Sequence, residues 1–270
     1  FQQTASNMSN LKRIHLFEFE DLNWFPQWLR QCMTRLIVVM HNLLGTHKKL
    51  AELVHKSLNL TGQQSIIDLC TGSGGPMLKV YEILQTYEQT KAVTVTLTDL
   101  YPDKDVAGLL NNKDTGITYL EEPVDATQVD GNLKGVRTMT GSFHHFKPET
   151  AKKILEDAQY NRQPICIFEI SDNSVPTWLW WIAIPVNFIM AFFITPFARP
   201  VTWKQLFFTY LIPVIPLCFA WDGAVSNVRT YTLNDLDILL SGLESDDYKW
   251  EKGKIQGKTN KIYLLGLPTE

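Results

Sequence analysis

Residues 66–77 read Ile-Ile-Asp-Leu-Cys-Thr-Gly-Ser-Gly-Gly-Pro-Met. A short apolar run enters a glycine-rich turn, and an amphipathic pattern over 78–87 predicts a helix beyond it. A backbone turns this sharply, and approaches a ligand this closely, where a Cβ would be in the way. The helix that follows aims free N–H groups and a partial positive charge at whatever lies in the turn. Such strand–turn–helix units pack as alternating strands and helices around a largely parallel sheet.

The alternation continues along the chain. The β-branched run 92–99 predicts a second strand that ends in Asp99, and a short helix spans 103–112. A third strand, 117–120, leads towards Asp125. A fourth, 136–140, runs into Gly141-Ser142-Phe143-His144-His145-Phe146, and Pro148 opens a helix to 160. A fifth strand, 164–170, ends at Glu169 and Asp172. A helix over 234–243 and strands 248–256 and 260–267 close the chain. The expected class is α/β, Rossmann-like, with a mostly parallel sheet flanked by helices. Ligands of such sheets lie at the carboxyl ends of the strands. Gly72, Gly74, Asp99, Asp125, His144, His145 and Glu169 all fall there, so they are expected to form one site.

Four segments follow from this layout. Residues 1–60 are expected to be a helical lid segment, with a brief extended stretch at 15–21, a helix from Pro26 to 44 and a second at 48–58. Trp24, Phe25 and Trp28 would cover the site mouth, unless the helix merely packs on the sheet edge. His41, His47 and His55 lack metal-like spacing and are expected on helix faces. Residues 61–172 form the core, 173–221 an apolar helical insert, and 222–270 a C-terminal helix and strand pair completing the sheet. Asp222-Gly223 reads as a turn.

Composition removes several classes. A net charge of -3 and a pI near 6.1 leave no basic footprint, so nucleic acid is not expected as partner. The four cysteines, Cys32, Cys70, Cys166 and Cys218, stand far apart in apolar surroundings. They read as reduced, buried thiols, with neither disulfide nor metal site expected. No basic n-region with a small-residue cleavage site opens these residues, and a cytoplasmic location is expected, peripheral to a membrane.

Between Asn173 and Trp221 the only charges are Arg199 and Lys204. A spanning helix needs about 20 apolar residues. The run 178–194 is shorter and contains Pro185 and Asn187. Two passes would leave Arg199 and Lys204 on the far side, against the positive-inside tendency. An interfacial hairpin fits better, with Trp178, Trp180, Trp181 and Trp203 at headgroup level. The competing outcomes are a greasy cap over the pocket or a homodimer face.

Asp68 stands directly before the glycine turn. Its charge would repel a pyrophosphate and suit a ligand with a cationic amino group, which favours S-adenosylmethionine over NAD. On these residues the chain resembles the class I S-adenosylmethionine-dependent methyltransferases, over about 45–172. Asp68, Gly72 and Gly74 match the family's first motif. Cys70 replaces the usual first glycine, tolerable if that position avoids positive φ. Asp99, with Leu100 beside it, matches the acid on the ribose, and Asp125-Ala126 the pair that meets the adenine. Ser142-Phe143-His144-His145-Phe146 is similar to the fourth-strand motif of the small-molecule branch, and Glu169 to its acid after the fifth strand.

The resemblance implies in-line methyl transfer to a lipophilic small molecule or lipid, by proximity and orientation, with general-base help from His144 or His145. Glu169 would orient substrate or cap a neighbouring turn. Trp24, Phe25, Trp178, Asp222, Arg229 and Tyr231 are the candidate acceptor contacts, although an Asp222–Arg229 salt bridge bracing the loop is the plainer outcome. Two other functions stay open: a non-catalytic adenosylmethionine-binding protein that docks on a membrane or partner, and an NAD-dependent dehydrogenase.

Overall fold

The computed structural model describes residues 11–113, 115–257 and 259–269. Helices α1 (Gln27–Leu44) and α2 (Thr46–Thr61) precede β1 (Ser65–Asp68), α3 (Met77–Leu84), β2 (Thr94–Leu97), α4 (Lys104–Asn111) and β3 (Ile117–Tyr119). Then come β4 (Val136–Thr140), α5 (Pro148–Tyr160) and β5 (Ile165–Glu169). The insert holds α6 (Ala183–Ile194), α7 (Trp203–Tyr210) and α8 (Val214–Arg229), and α9 (Leu233–Leu240), β6 (Tyr248–Ile255) and β7 (Lys261–Pro268) close the chain.

The strands form one seven-stranded sheet in the order β3-β2-β1-β4-β5-β7-β6. β1 to β5 run parallel, and β7 pairs antiparallel with both β5 and β6. The order reverses between β1 and β4, and the switch point of such a sheet opens a crevice at the carboxyl ends. Side-chain alternation divides the core into two layers. Ile66, Val95, Val136 and Cys166 face the helices α2 and α3, and Ile67, Met139 and Ile167 face α5 and α9. β5 is buried at every position, as a central strand covered on both faces must be.

Several sequence expectations are corrected. The predicted helix 78–87 begins at Met77 and stops at Leu84, because Thr86 and Tyr87 bond back to Ile83 and Leu84 in tight turns. The stretch 15–21 forms no strand; it ends in a 3-10 turn at Phe19–Asp21 and lies along α8, with Ile14 N bonding Val228 O at 2.9 Å. His41 is buried, its Nδ1 2.6 Å from Thr46 Oγ1, and burial pulls its pKa down to about 4.

Asp222-Gly223 is not a turn. It lies inside α8, where a Cβ on Gly223 would come within 2.8 Å of Asn187 Nδ2 on α6. The glycine serves close helix packing, and the chain continues helical through it. The start of α1 is tied to the loop after β2, where Gln27 and Gln31 bond Asp103. Phe25 and the apolar face of α1, with Leu29, Cys32 and Leu36, join Ala191, Ile194, Ile215 and Phe219 of the insert in a third apolar cluster.

Candidate active site

The turn after β1 uses four left-handed residues: Cys70 (φ 58°), Gly72 (55°), Gly74 (90°) and Gly75 (42°). Backbone bonds fix it, with Thr71 N donating to Thr98 O at 3.0 Å and Gly74 N to Thr71 O at 3.0 Å. Tyr119, at the end of β3, donates its hydroxyl to Gly72 O at 2.8 Å. Cys70 therefore occupies the positive φ that the sequence argument asked it to avoid. A left-handed L-residue costs about 1–2 kcal/mol, and the surrounding turn holds it there. Removal from water pushes its thiol pKa up, and Asp99, Asp68 and Asp125 add to the rise, so it is protonated.

Asp68 ends β1 in a buried position and accepts from Thr138 Oγ1 at 2.6 Å. Burial raises its carboxyl to about 6, and Asp99 adds to the rise. Asp99 follows β2 and accepts from Gly72 N at 2.8 Å and Tyr101 N at 2.9 Å, which ties the two strand ends together. Asp125 accepts from Thr127 N and Oγ1, at 2.8 and 2.7 Å, and beside it Ala126 is buried. Leu100 is exposed. An open cleft of about 520 Å³ runs beside Asp99, lined by Gln27, Leu100, Tyr101, Asp103 and Pro123. Gln27 and Gln31 of α1 both bond Asp103, at 2.9 and 3.2 Å, so the start of α1 stands at the mouth of this cleft.

Two observations fit an adenosyl ligand here. The turn is open at Gly72, where a Cβ would meet nothing within 4 Å. At the end of β4, Thr140 Oγ1 and Ser142 Oγ are buried without hydrogen-bond partners, which is costly unless something bonds them.

His144 lies in the short turn after β4, one strand over. Its Nδ1 is 2.8 Å from Glu169 Oε2, and its backbone N–H donates to Glu169 Oε1 at 3.1 Å. Burial works to raise the Glu169 pKa, but His144 outweighs it and holds the carboxyl below its ordinary value. The other ring nitrogen, Nε2, lies 3.1 Å from Ser226 Oγ on α8. His145 turns away and bonds Asp21 through Nδ1 at 2.7 Å. Burial opposes its charge, yet Glu18 and Asp21 raise its pKa to about 9, so it is a cation at neutral pH.

Arg229 and Tyr231 do not face an open pocket; both are buried. Arg229 sits 3.1 Å from Glu18 and 2.5 Å from Asp21, and it donates to His145 O at 2.8 Å. Arg13 donates to His144 O and Arg229 O, both at 2.7 Å. Tyr231 donates to Phe146 O at 2.7 Å. The expected Asp222–Arg229 bridge does not form. Seven residues along a helix separate them by about 10 Å, on one face but out of reach. Both turn instead to the N-terminal strap at 13–25, and Asp222 accepts from Phe19 N at 2.8 Å and Glu20 N at 3.2 Å. Burial raises Asp222 to about 8 and Glu20 to about 7. Trp24 and Trp178 are exposed, and Phe25 is buried in the third cluster.

Arg13, Glu18, Asp21 and Ser226 are absent from the sequence-derived site. Their one signal is the run of acids at 18, 20 and 21, which local patterning reads as a strand edge. Glu18, His144 and His145 offer ligand atoms within 4.8 Å of one another, a set that could hold a divalent cation. Arg229, 3.1 Å from Glu18 Oε1, already places a permanent positive charge there.

No protein-family model and no curated protein sequence matches the chain. Solved structures do. The plantazolicin methyltransferase BpumL in complex with SAH aligns over 90% of this chain and 98% of its own, at 10% identity and a TM-score of 0.51. The same enzyme with a triazolic desmethylPZN analog and SAH aligns over 90% and 99%, at 10% identity and 0.51. Its complex with a pentazolic analog gives 90% and 99%, 11% and 0.50. The chain has the class I S-adenosylmethionine-dependent methyltransferase fold, and at this identity the likeness speaks for the fold alone.

Proposed function

We propose that the protein is an S-adenosylmethionine-dependent methyltransferase acting on a lipophilic small molecule or lipid. The observation that carries this reading is the placement of an open glycine turn, flanked by Asp68 and Asp99, one strand away from a buried His144–Glu169 pair. When bound, the cofactor would supply a methyl group already activated by its sulfonium. Asp68 and the turn would hold its amino acid end, Asp99 its ribose, and Asp125, Ala126 and Leu100 its base. Thr140 and Ser142 offer hydroxyls that lack partners.

The chain's own part is alignment, exclusion of water and, for a hydroxyl or carbon acid, removal of a proton. His144 suits that last task better than His145. Glu169 fixes its Nδ1 and leaves Nε2 to accept a proton, whereas His145 already carries one at neutral pH. In the structure the position facing Nε2 is held by Ser226 Oγ. The acceptor is read as lipophilic because α8 joins an exposed apolar end, at Leu217, to the site, at Ser226 and Arg229. For a lipid acceptor this reading includes peripheral association with a membrane.

The test is transfer of labelled methyl from S-adenosylmethionine into a lipid extract. Wild type should label a lipophilic product. His144→Gln should lose about a hundredfold or more in kcat, with binding of S-adenosylhomocysteine retained. Binding without any labelled product would favour a non-catalytic adenosylmethionine-binding protein.

A further inference from the structure

The insert exposes its apolar side chains on the outside of the molecule. The segment Thr177–Phe197 has a mean hydropathy of 1.7 over its most apolar window, yet only 11% of that window is buried. Trp178 is 73% exposed, Phe193 72% and Leu211 70%. Soluble surfaces carry such residues singly; a contiguous set marks a contact. Its charge is equally one-sided, since Arg199 and Lys204 are the only ionised groups between 173 and 221. Lys204 lies 5.4 Å over the Trp28 ring, and Trp203 beside it is exposed.

The geometry argues against a span. α7 and α8 meet at an 80° bend, and Leu211 and Ile212 stand exposed at the corner. The backbone there is closed on itself, with Leu211 N and Ile212 N both bonding Phe207 O at 3.0 and 3.1 Å. A corner with internally satisfied N–H groups can enter an apolar phase where an open loop cannot. The other end of α8 is Arg229, held by Glu18, Asp21 and the His144-His145 backbone. Asn187 of α6 packs on Gly223 of the same helix. The insert therefore leaves and rejoins the sheet on one side, and crossing a bilayer would drag a buried guanidinium out of its ion pairs.

We infer that the insert docks on a single leaflet of an anionic bilayer, with the α7–α8 corner and the outer face of α6 in the acyl region. Trp178, Trp181 and Trp203 then sit among the headgroups, and Arg199 and Lys204 meet lipid phosphates. In this orientation α8 runs from the bilayer at Leu217 to Ser226 beside His144, and a lipid-dissolved acceptor would follow it to the site. The acceptor route rests on the methyl-transfer reading; the docking does not, because binding is measured without turnover.

The experiment is co-sedimentation of the full chain with phosphatidylcholine vesicles, with and without phosphatidylglycerol. Binding should be clearly tighter with phosphatidylglycerol. Phe193→Glu with Leu211→Glu should weaken it about tenfold or more. Arg199→Gln and Lys204→Gln should each cost about fivefold on the anionic vesicles. Far-UV circular dichroism and melting temperature should be unchanged in all of these variants. A protein that stays in the supernatant with both vesicle types overturns the inference, as does a pellet indifferent to the two glutamates. So would a dimer abolished by the two glutamates in a protein that ignores vesicles, which would assign the face to a second copy. A wild-type protein that transfers methyl to a soluble acceptor yet binds neither vesicle type would reject the docking and leave the methyltransferase reading intact.

Discussion

Arg229→Met removes the charge on which the strap at 13–25 is fastened. The guanidinium is 1% exposed and lies 3.1 Å from Glu18 and 2.5 Å from Asp21. It also supports the carbonyls of His144 and His145, at 3.4 and 2.8 Å. The two carboxylates do not suffer equally. Asp21 is 35% exposed at its side chain, can rehydrate, and keeps its 2.7 Å bond to His145; Glu18 is 2% exposed, cannot rehydrate, and keeps Ser226 Oγ at 3.2 Å and His145 at 3.7 Å. Breaking a buried pair from one side costs about 3–5 kcal/mol, chiefly through the charge left behind. The expected loss is therefore about 3–5 kcal/mol in urea unfolding followed by tryptophan fluorescence, with an unchanged m-value. If the stranded Glu18 charge is the cause, adding Glu18→Gln to Arg229→Met should recover about half of the loss. A single-variant loss under about 1 kcal/mol, or a double variant no more stable than the single, would refute the reasoning.

Further outcomes follow from the same geometry. Asp222 and Glu20 have raised folded pKa values, about 8 and about 7, so their contributions are lost as pH rises from about 4 through those values. His145, raised to about 9, stabilises fully below about 6.5 and loses that contribution as pH rises towards 9. The melting temperature should therefore fall between pH 5.5 and 8.5, and Asp222→Asn should flatten the fall; a flat wild-type profile would contradict this. Cys70→Gly should leave stability within about 1 kcal/mol, because relief of the left-handed conformation offsets glycine's extra chain entropy. Cys70→Val should cost about 2 kcal/mol or more, since a β-branched residue tolerates φ 58° poorly. Asp99→Asn should weaken S-adenosylhomocysteine binding by about 10- to 100-fold in a direct titration, the worth of a hydrogen bond to a charged acceptor.

The sheet was legible because its signals are local. β4 (Val136–Thr140) and α5 (Pro148–Tyr160) match the sequence reading to the residue. An apolar run bounded by glycine or an acid leaves little freedom in where a buried strand ends. Asp68, Asp99, Asp125 and Glu169 stand out in the sequence for the same reason, as each closes or follows a strand. What escaped depends on distant partners. Asp222-Gly223 has the local chemistry of a turn, but it lies within a helix, where the glycine leaves room for Asn187 of another helix. The acids at 18 and 21 lie in a stretch that reads locally as extended, and only α8 reveals that they bind Arg229. Cys70 looked free to avoid positive φ, and the turn denied it that freedom.

Isothermal titration with S-adenosylhomocysteine, with NAD as the comparison ligand, tests the central claim most directly. The account expects saturable binding of S-adenosylhomocysteine at one site, lost in Asp68→Ala and weakened in Asp99→Asn, with no heat from NAD. Tight NAD binding without S-adenosylhomocysteine binding, or S-adenosylhomocysteine binding indifferent to both acids, would contradict it.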